Sequence, residues 1–307
     1  MHMTDAVEST RRAFLGTALT EAALLATPRR GMLPNEFFAL DTAVVRHLGK
    51  DLVQEGDIET LAALGYAGLA PVVPDPAAWQ HLIQVILPAL DARKLKLYAI
   101  YCTVQVSREG YSYNPELKRS LGLLKGRGTV VWLPLRSDVF QPSDLRADSL
   151  AVAAVQEIAD LAAAQGLAVS LYPHAGSLAE RVSDVVRIAE KSRRANAGVT
   201  FNLCHWLRTD GGNGLAQTLK LAMPRLSLVT INGADRDTKD WIRLIEPLDS
   251  GTYDVAGFLL ELYRQGYRGP IGLQGYDVAS NYHIEPRENL RRSMAAWKKL
   301  RSNRLFR

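Results

Sequence analysis

Short apolar runs alternate with longer segments of helical periodicity along the chain from about residue 35 onward. The apolar runs are rich in Val, Leu and Ile, which is typical of parallel strands that are buried on both faces. The predicted strands are residues 37–41, 68–73, 95–102, 129–135, 168–172, 199–203, 226–231 and 271–274. The predicted helices are residues 58–64, 76–90, 115–124, 150–164, 178–191, 215–222, 255–265 and 287–300. Regular strand–helix alternation predicts parallel pairing through right-handed crossovers.

This alternation fits either a closed (β/α)8 barrel or an open doubly wound sheet. An open sheet usually carries a glycine-rich phosphate loop after its first strand, but residues 40–49 read LDTAVVRHLG and lack that G-x-G-x-x-G pattern. A barrel typically needs about 250 residues, and the chain has 307. We therefore predict an α/β fold of the (β/α)8 TIM-barrel type, with one barrel domain over residues 31–307.

The first 30 residues are set apart as a leader. Residues 9–16 read STRRAFLG, which resembles a twin-arginine export signal, and a moderately apolar stretch follows. The resemblance implies an exported, periplasmic protein; the alternatives are an amphipathic or disordered arm and a cytoplasmic protein. No apolar run of about 18 residues is present, so we predict no membrane span.

Polar side chains end each of the last four predicted strands. The segments are SLYPHAG (170–176), TFNLCHW (200–206), TINGAD (230–235) and GLQGYD (272–277). In a (β/α)8 barrel the carboxyl ends of the strands converge on one mouth, where ligands bind. We therefore expect one cavity to be lined by His174, Asn202, His205, Asn232, Asp235 and Gln274.

The same segments carry a resemblance to a known family. VSLYPHAG, GVTFNLCHW, LVTINGAD and the closing GYRGPIGLQGYD, followed by ENLRRSM, resemble the xylose-isomerase-like (β/α)8 barrel superfamily over roughly residues 55–300. That superfamily contains sugar isomerases, ketose epimerases, dehydratases and apurinic-site endonucleases. The resemblance implies a small sugar or keto-sugar as substrate and a divalent metal held between four strand ends.

The residues at those four places differ from the family's usual ligands. The usual set is Glu, Asp, His and Glu on strands five to eight, and the aligned residues here are Tyr172, Asn202, Asn232 and Gln274. Hard cations bind mainly through anionic oxygens, so these neutral groups predict weak metal binding or none. A rebuilt, softer site for Mn²⁺, Zn²⁺, Co²⁺ or Ni²⁺ would use His174, His205, Asn202 and Gln274, with Asp235 nearby.

The two histidines are also the candidate catalytic residues. A histidine titrates near neutral pH, so His174 and His205 can move a proton between carbon and oxygen without a metal. Asn202, Asn232 and Gln274 would then bind sugar hydroxyls through amide groups that both donate and accept.

Further candidates surround this set. Trp206 can stack on a sugar ring, and Arg136, after the fourth strand, can bind a carboxylate or phosphate. Asp235 is a third candidate for substrate binding, and Asp41, at the end of the first strand, can enter the mouth. Asn232 and Asp235 can instead close a turn around Gly233.

Three functions remain to be weighed. The first is a sugar or keto-sugar isomerase, epimerase or lyase that moves a proton next to a carbonyl, either as a monomer or as a homo-oligomer; the second is a non-catalytic carbohydrate-binding barrel. The third, nucleic-acid processing, is suggested by a net charge of +5. The endonuclease relatives need a cluster of zinc ions, whereas this chain has six histidines, of which His2 and His47 lie outside the strand ends. We therefore expect no nucleic-acid partner.

Overall fold

The computed structural model describes residues 32–306. The leader predicted over residues 1–30 lies outside the described residues. Among residues 32–306, the structure has no helix with the length and apolar character that a membrane crossing requires. Cys102 and Cys204 are both buried free thiols.

Twelve strands form two sheets within the described chain. They are β1 (Phe37–Leu40), β2 (Gly68–Ala70), β3 (Lys96–Leu97), β4 (Ala99–Tyr101), β5 (Val104–Val106), β6 (Tyr111–Tyr113), β7 (Val130–Leu133), β8 (Leu135–Arg136), β9 (Ala168–Leu171), β10 (Ala197–Asn202), β11 (Leu226–Ile231) and β12 (Ile271–Leu273).

The larger sheet is the barrel. Its order is β3-β2-β1-β12-β11-β10-β9-β7-β4, and the pairs are parallel. Because β3 and β4 are consecutive pieces of one strand, separated by Tyr98 alone, the two ends of the order meet and the sheet closes on itself. Eight barrel strands result, and the predicted (β/α)8 fold is confirmed.

Helices cover the outside of the barrel. The α-helices are Asp41–Val44, Glu55–Leu64, Pro76–His81, Leu87–Ala92, Glu116–Ser120, Asp148–Ala163, Val182–Ser192, Leu203–Asp210, Leu215–Ala222, Trp241–Leu244, Val255–Arg264, Val278–Asn281 and Pro286–Arg301. A π-helical turn (Leu82–Ile86) joins the third and fourth of these. Short 3-10 turns are Leu121–Leu124, Leu145–Ala147, Met223–Arg225 and Arg304–Phe306.

Several short elements near the mouth were not predicted from the sequence, among them one helix and one small sheet. The helix Leu203–Asp210 follows β10 directly, in a segment that the prediction left between a strand and a later helix. The three-stranded sheet β6-β5-β8 follows the barrel strands β4 and β7. Its hairpin is held from outside, since the hydroxyls of Tyr111 and Tyr113 both donate to Glu157 at 2.7 Å.

The barrel interior has its own aromatic core. Phe38 stacks on Tyr98 at a centroid distance of 4.4 Å, and Trp132 meets Tyr172 edge-on at 5.2 Å. This inner cluster is separate from the larger apolar layer between strands and helices. Gly272 makes room for it, because a Cβ there would lie 2.6 Å from the Phe38 ring. The barrel is therefore filled below its mouth.

Candidate functional site

A cavity of about 700 Å³ opens at the carboxyl ends of the barrel strands. This size lies within the range of small-molecule sites. Its lining includes the polar side chains of Asp41, Arg136, Tyr172, His174, His205 and Gln274. The predicted convergence of strand ends on one mouth therefore brings five of the candidates together: Asp41, Arg136, His174, His205 and Gln274.

Four other candidates do not line this cavity: Asn202, Trp206, Asn232 and Asp235. Asn202 is fully buried at the N-terminus of the unpredicted helix Leu203–Asp210. Its Oδ1 accepts from the backbone N–H of His205 at 3.2 Å and from Cys204 Sγ at 3.0 Å. Asparagine is a preferred helix N-cap, and this preference is the signal by which the helix could have been predicted.

Trp206 faces the core rather than the mouth. It is 2% exposed and packs on Phe201 at a centroid distance of 5.6 Å. The same helix turns His205, one residue earlier, toward the cavity. Trp241 instead contributes an indole to the lining, 37% exposed and edge-on to the His205 ring at 5.4 Å. Trp241 was missed from the sequence because it begins a four-residue helix, Trp241–Leu244, which lies well beyond the end of β11 and is too short to show a helical period.

Asn232 and Asp235 hold the loop after β11. Asn232 Nδ2 donates to the carbonyls of Gly233 and Leu244, both at 2.7 Å. Asp235 forms an ion pair with Arg243 at 2.6 Å and accepts from Thr252, and it lines a separate cavity of about 220 Å³. The turn alternative fits both residues better than a role in the mouth.

A connected set of neutral side chains lies at the bottom of the cavity; we call Thr42, Gln274, Tyr172 and Asn202 the floor network. The Thr42 hydroxyl donates to Gln274 Oε1, which also accepts from the backbone N–H of Gly275 at 2.9 Å. Gln274 Nε2 lies 3.5 Å from the Tyr172 hydroxyl, and Asn202 Nδ2 donates to the same hydroxyl. Burial raises the pKa of Tyr172 well above its ordinary value, so the phenol stays protonated.

His174 and His205 form the second feature of the mouth, which we call the histidine pair. Their ring centroids are 4.1 Å apart and the rings are tilted by 38°. His174 stands in a tight turn after β9, where its carbonyl accepts from Ser177 N–H at 2.9 Å and Gly176 adopts φ +80°. His205 is held by its helix and is 5% exposed.

The backbone of Ala175 assigns different tautomers to the two rings. His174 Nδ1 lies 3.1 Å from the Ala175 carbonyl, which only accepts, so this nitrogen carries the proton. The Ala175 N–H points at His205 Nδ1 at 3.3 Å, so that nitrogen carries the lone pair. In the neutral pair His174 Nε2 is therefore a proton acceptor, and His205 Nε2 is a proton donor.

The surroundings favour the neutral form of both rings. Burial lowers the pKa of His174, although its bond to Ala175 partly opposes this. Burial also lowers the pKa of His205 well below its ordinary value, and the neighbouring charges of His174 and Arg136 add to the effect. At neutral pH the mouth thus presents one basic and one donating imidazole nitrogen.

Asp41 enters the mouth from the opposite side. It directly follows β1 and is 6% exposed. Its Oδ2 accepts from the Val72 N–H at 2.6 Å and its Oδ1 from the Thr42 N–H at 2.8 Å. Burial outweighs these bonds and raises the pKa of Asp41 to about 7. The sequence indicated that Asp41 can enter the mouth, but it did not predict the raised pKa, because the burial that causes it depends on the closed barrel.

Arg136 is the positively charged residue of the lining. It is exposed at the end of β8, where Gln105 of β5 is its partner in the small sheet. Its guanidinium approaches Tyr101, where it opposes the larger effect of burial, which raises the pKa of that phenol to about 12. A guanidinium and an imidazole N–H can together stabilise negative charge that develops on a substrate oxygen.

The residues present do not fit the metal site that the resemblance implies. Asn202 uses its oxygen as a helix cap, Tyr172 keeps its proton, and the buried Asn232 Oδ1 is a single neutral carbonyl without a partner among the described residues. The acceptor nitrogen of His205 already faces a backbone N–H. Within residues 32–306, no three His, Cys, Asp or Glu side chains are grouped so as to hold a metal ion.

Comparison with known proteins agrees with this architecture. A family profile described as xylose isomerase-like TIM barrel matches residues 125–300. An IolI protein with bound zinc is similar at 14% identity and a TM-score of 0.67, over 87% of this chain and 98% of that one. The zinc in that structure makes a divalent metal plausible among proteins of this fold.

Two epimerase structures are similar as well. D-allulose 3-epimerase from Methylomonas sp. has 18% identity and a TM-score of 0.66, over 87% of this chain and 98% of that one. The 3-keto-D-glucoside 4-epimerase of E. coli has 16% identity and a TM-score of 0.64, over 86% and 99%. No curated protein matches the sequence significantly. At these identities the structural likeness establishes the fold alone.

Proposed function

The chain belongs to the xylose isomerase-like TIM barrel family, and we propose that it is a sugar or keto-sugar isomerase or epimerase that moves a proton next to a carbonyl. The observation that carries this proposal is the histidine pair, in which a basic and a donating nitrogen lie side by side at the mouth. The similarity to sugar epimerases supports the substrate class.

The proposed step uses only side chains of the mouth. His174 Nε2 takes the proton from the carbon next to the carbonyl, and the electrons of the broken C–H bond form the enediolate. The carbonyl oxygen becomes negatively charged and accepts hydrogen bonds from His205 Nε2 and from Arg136. A proton then returns to carbon. Gln274 and Trp241 line the same cavity and are available to contact hydroxyls and the sugar face.

A divalent metal, when bound, would act as a Lewis acid on the substrate carbonyl. The donor set described above does not support such a site here, so no step is assigned to a metal. The N–H of neutral His205 and the guanidinium of Arg136 would stabilise the negative charge that a metal would otherwise stabilise.

The test is solvent hydrogen exchange. The full chain is incubated in ²H₂O with ketohexoses, including D-allulose, and with 3-keto-D-glucosides, and the sugars are examined by NMR. We expect deuterium at the carbon next to the carbonyl, together with a new isomer or epimer. Tight binding of a sugar that is recovered without deuterium and unchanged would favour the non-catalytic carbohydrate-binding alternative and contradict the proposal.

We also propose export through the twin-arginine-like leader, on the basis of the STRRAFLG sequence alone. The test fuses residues 1–30 to a reporter that matures only after folded export. Arg11→Lys/Arg12→Lys should abolish export in the same fusion. A reporter that stays in the cytoplasm with both leaders would favour a cytoplasmic protein.

A further inference from the structure

We propose that Asp41 is a second proton-carrying residue, which faces His174 across the mouth and makes the enzyme an epimerase. This inference rests on the proposed function and deepens it, because it chooses among the reactions that proton transfer next to a carbonyl allows. An epimerase must remove a proton from one face of a carbon and deliver one to the other face. Two groups on opposite sides of the substrate meet that requirement directly.

The barrel order puts the two groups on opposite sides. Asp41 follows β1 and His174 follows β9 by two residues. Counting β3 and β4 as one strand, β1 and β9 are four strands apart in both directions around the closed sheet. Both side chains line the same cavity. A sugar ring or open-chain ketose bound there has Asp41 on one side and His174 on the other.

Asp41 is built to reach this position and to carry a proton. Its two backbone bonds, to Val72 and Thr42, use one lone pair on each oxygen and fix the carboxyl group. Among residues 32–306 it forms no ion pair with a Lys or Arg that would hold it permanently ionised. Burial, which raises its pKa to about 7, makes both protonation states accessible near neutral pH.

The protons balance in both directions. When His174 Nε2 removes the proton from carbon, the protonated Asp41 gives its own proton to the opposite face of the enediolate carbon. Imidazolium and carboxylate remain, and after product release His174 loses its proton to water while Asp41 gains one. The reverse reaction begins from these opposite states, with carboxylate as the base and imidazolium as the acid.

An isomerase places different demands on the mouth. It moves a proton between adjacent carbons on one face of the enediolate, which a single group can do. His174 alone would then suffice, and Asp41 on the far side would be dispensable. The position of Asp41 thus distinguishes the two reactions, and the substitution Asp41→Asn tests it, since asparagine keeps the size and loses the titrating proton.

The experiment compares the full chain with Asp41→Asn and with Asp277→Asn. Asp277 is a partly exposed aspartate at the edge of the same mouth and supplies a control of identical chemistry. Each protein is incubated in ²H₂O with D-allulose, D-fructose and a 3-keto-D-glucoside. Deuterium is measured separately in the recovered substrate and in the product epimer. Thermal unfolding verifies that each variant is folded.

We expect the unvaried chain to form an epimer that carries solvent deuterium from the first turnover. In Asp41→Asn, epimer formation should fall by about 100-fold or more, while His174 still exchanges deuterium into the recovered substrate. Asp277→Asn should stay within about threefold of the unvaried chain, a change far smaller than loss of a catalytic proton carrier.

Three results would overturn the inference without overturning the proposed function. Asp41→Asn could epimerise at the normal rate, or it could lose exchange and epimerisation in parallel, which would make Asp41 structural. The product of the unvaried chain could retain the original hydrogen, which would mean that one group carries the same proton to both faces. An unvaried chain that exchanges no hydrogen with any of the sugars overturns the proposed function too, and this result is recognised before any variant is made.

Discussion

The floor network and the histidine pair lie at the same end of the barrel, yet they use their polar atoms differently. In the floor network, hydroxyls and amides bond mainly to one another and to nearby backbone groups. In the histidine pair, one nitrogen of each ring bonds to Ala175 and the other has no partner among the described residues. The floor network therefore contributes to stability, and the histidine pair is free for chemistry.

The largest expected effect comes from breaking the histidine pair. His174→Ala should lower the rate of deuterium exchange by about 10²- to 10⁴-fold, the usual contribution of a positioned acid or base. Stability should change little, because His174 is only partly buried. His81→Ala is the matched control, since His81 bonds only the Val53 carbonyl and lies away from the mouth. Equal loss in both variants would contradict the role of His174.

Asp41 should make the stability of the protein depend on pH. Its folded pKa of about 7 lies above the ordinary value of 3.8, so the folded state binds the proton more tightly. This adds to the free energy of unfolding, and the addition is fully present below about pH 4. It is lost as the pH rises through about 7, which lowers the free energy of unfolding by on the order of 4 kcal/mol. Asp41→Asn cannot ionise and should remove this fall. Urea unfolding between about pH 4 and 8 measures it, and superimposable curves for the two proteins would refute the assignment.

Substitutions in the floor network should change the free energy of unfolding more than the rate of the reaction. Tyr172→Phe removes the hydroxyl to which Asn202 donates, and leaving a buried polar group unsatisfied costs about 1–3 kcal/mol. Urea unfolding at constant pH is the measurement. Tyr101→Phe is a suitable control, because Tyr101 also lines the mouth but approaches the exposed Arg136. A Tyr172→Phe variant that is as stable as the unvaried chain would mean that these bonds contribute nothing.

The smallest expected effect is that of metal ions. Protein purified without chelator should contain less than about 0.1 equivalent of Mn, Zn, Co or Ni, because the floor network offers only neutral donors and no third His, Cys, Asp or Glu among the described residues joins the histidine pair. Adding each ion should leave the thermal midpoint unchanged, although a ligand at about 100 times its Kd stabilises by about 2.7 kcal/mol. About one equivalent of metal, lost in His174→Ala/His205→Ala, would show that the pair forms a metal site after all.

A variant with carboxylates in the floor network tests the same explanation for weak metal binding. Asn202→Asp/Gln274→Glu restores two carboxylates at the positions where the family resemblance places acidic ligands. If neutral side chains are the reason for weak binding, this variant should gain stabilisation by Mn²⁺ that the unvaried chain lacks. A folded variant without that gain would mean that another feature of the mouth excludes the metal.

The barrel strands and the outer helices were predicted from local pattern, whereas the residues that line the mouth were predicted only in part. The strand from Leu226 to Ile231 was predicted with its observed ends, because apolar and β-branched residues fill most of it and a polar residue follows. His174 and His205 reached the cavity as expected, since their positions depend on strand ends. Asn202 did not, because a helix begins immediately after it and takes its oxygen as a cap.

Side chains that lie beyond the strand ends could not be placed from the sequence. Trp241 enters the mouth at the start of a four-residue helix, which the ion pair of Asp235 and Arg243 ties to the loop after β11, and no periodicity marks so short a helix. Trp206 was the better aromatic candidate from the sequence, yet the helix that follows β10 turns it into the core. Side-chain direction here depends on where a helix starts, which one residue can change.

The sequence by itself determined the eight-fold alternation, the family resemblance and the absence of acidic residues at the aligned ligand positions, since these depend on residue type and order. Only the tertiary structure decided which polar groups face one another. Closure of the barrel buries Asp41 and sets it opposite His174, and the backbone of Ala175 assigns a different tautomer to each histidine. Burial and hydrogen-bond geometry arise from contacts between distant segments, and they determine the protonation state on which the chemistry of this mouth depends.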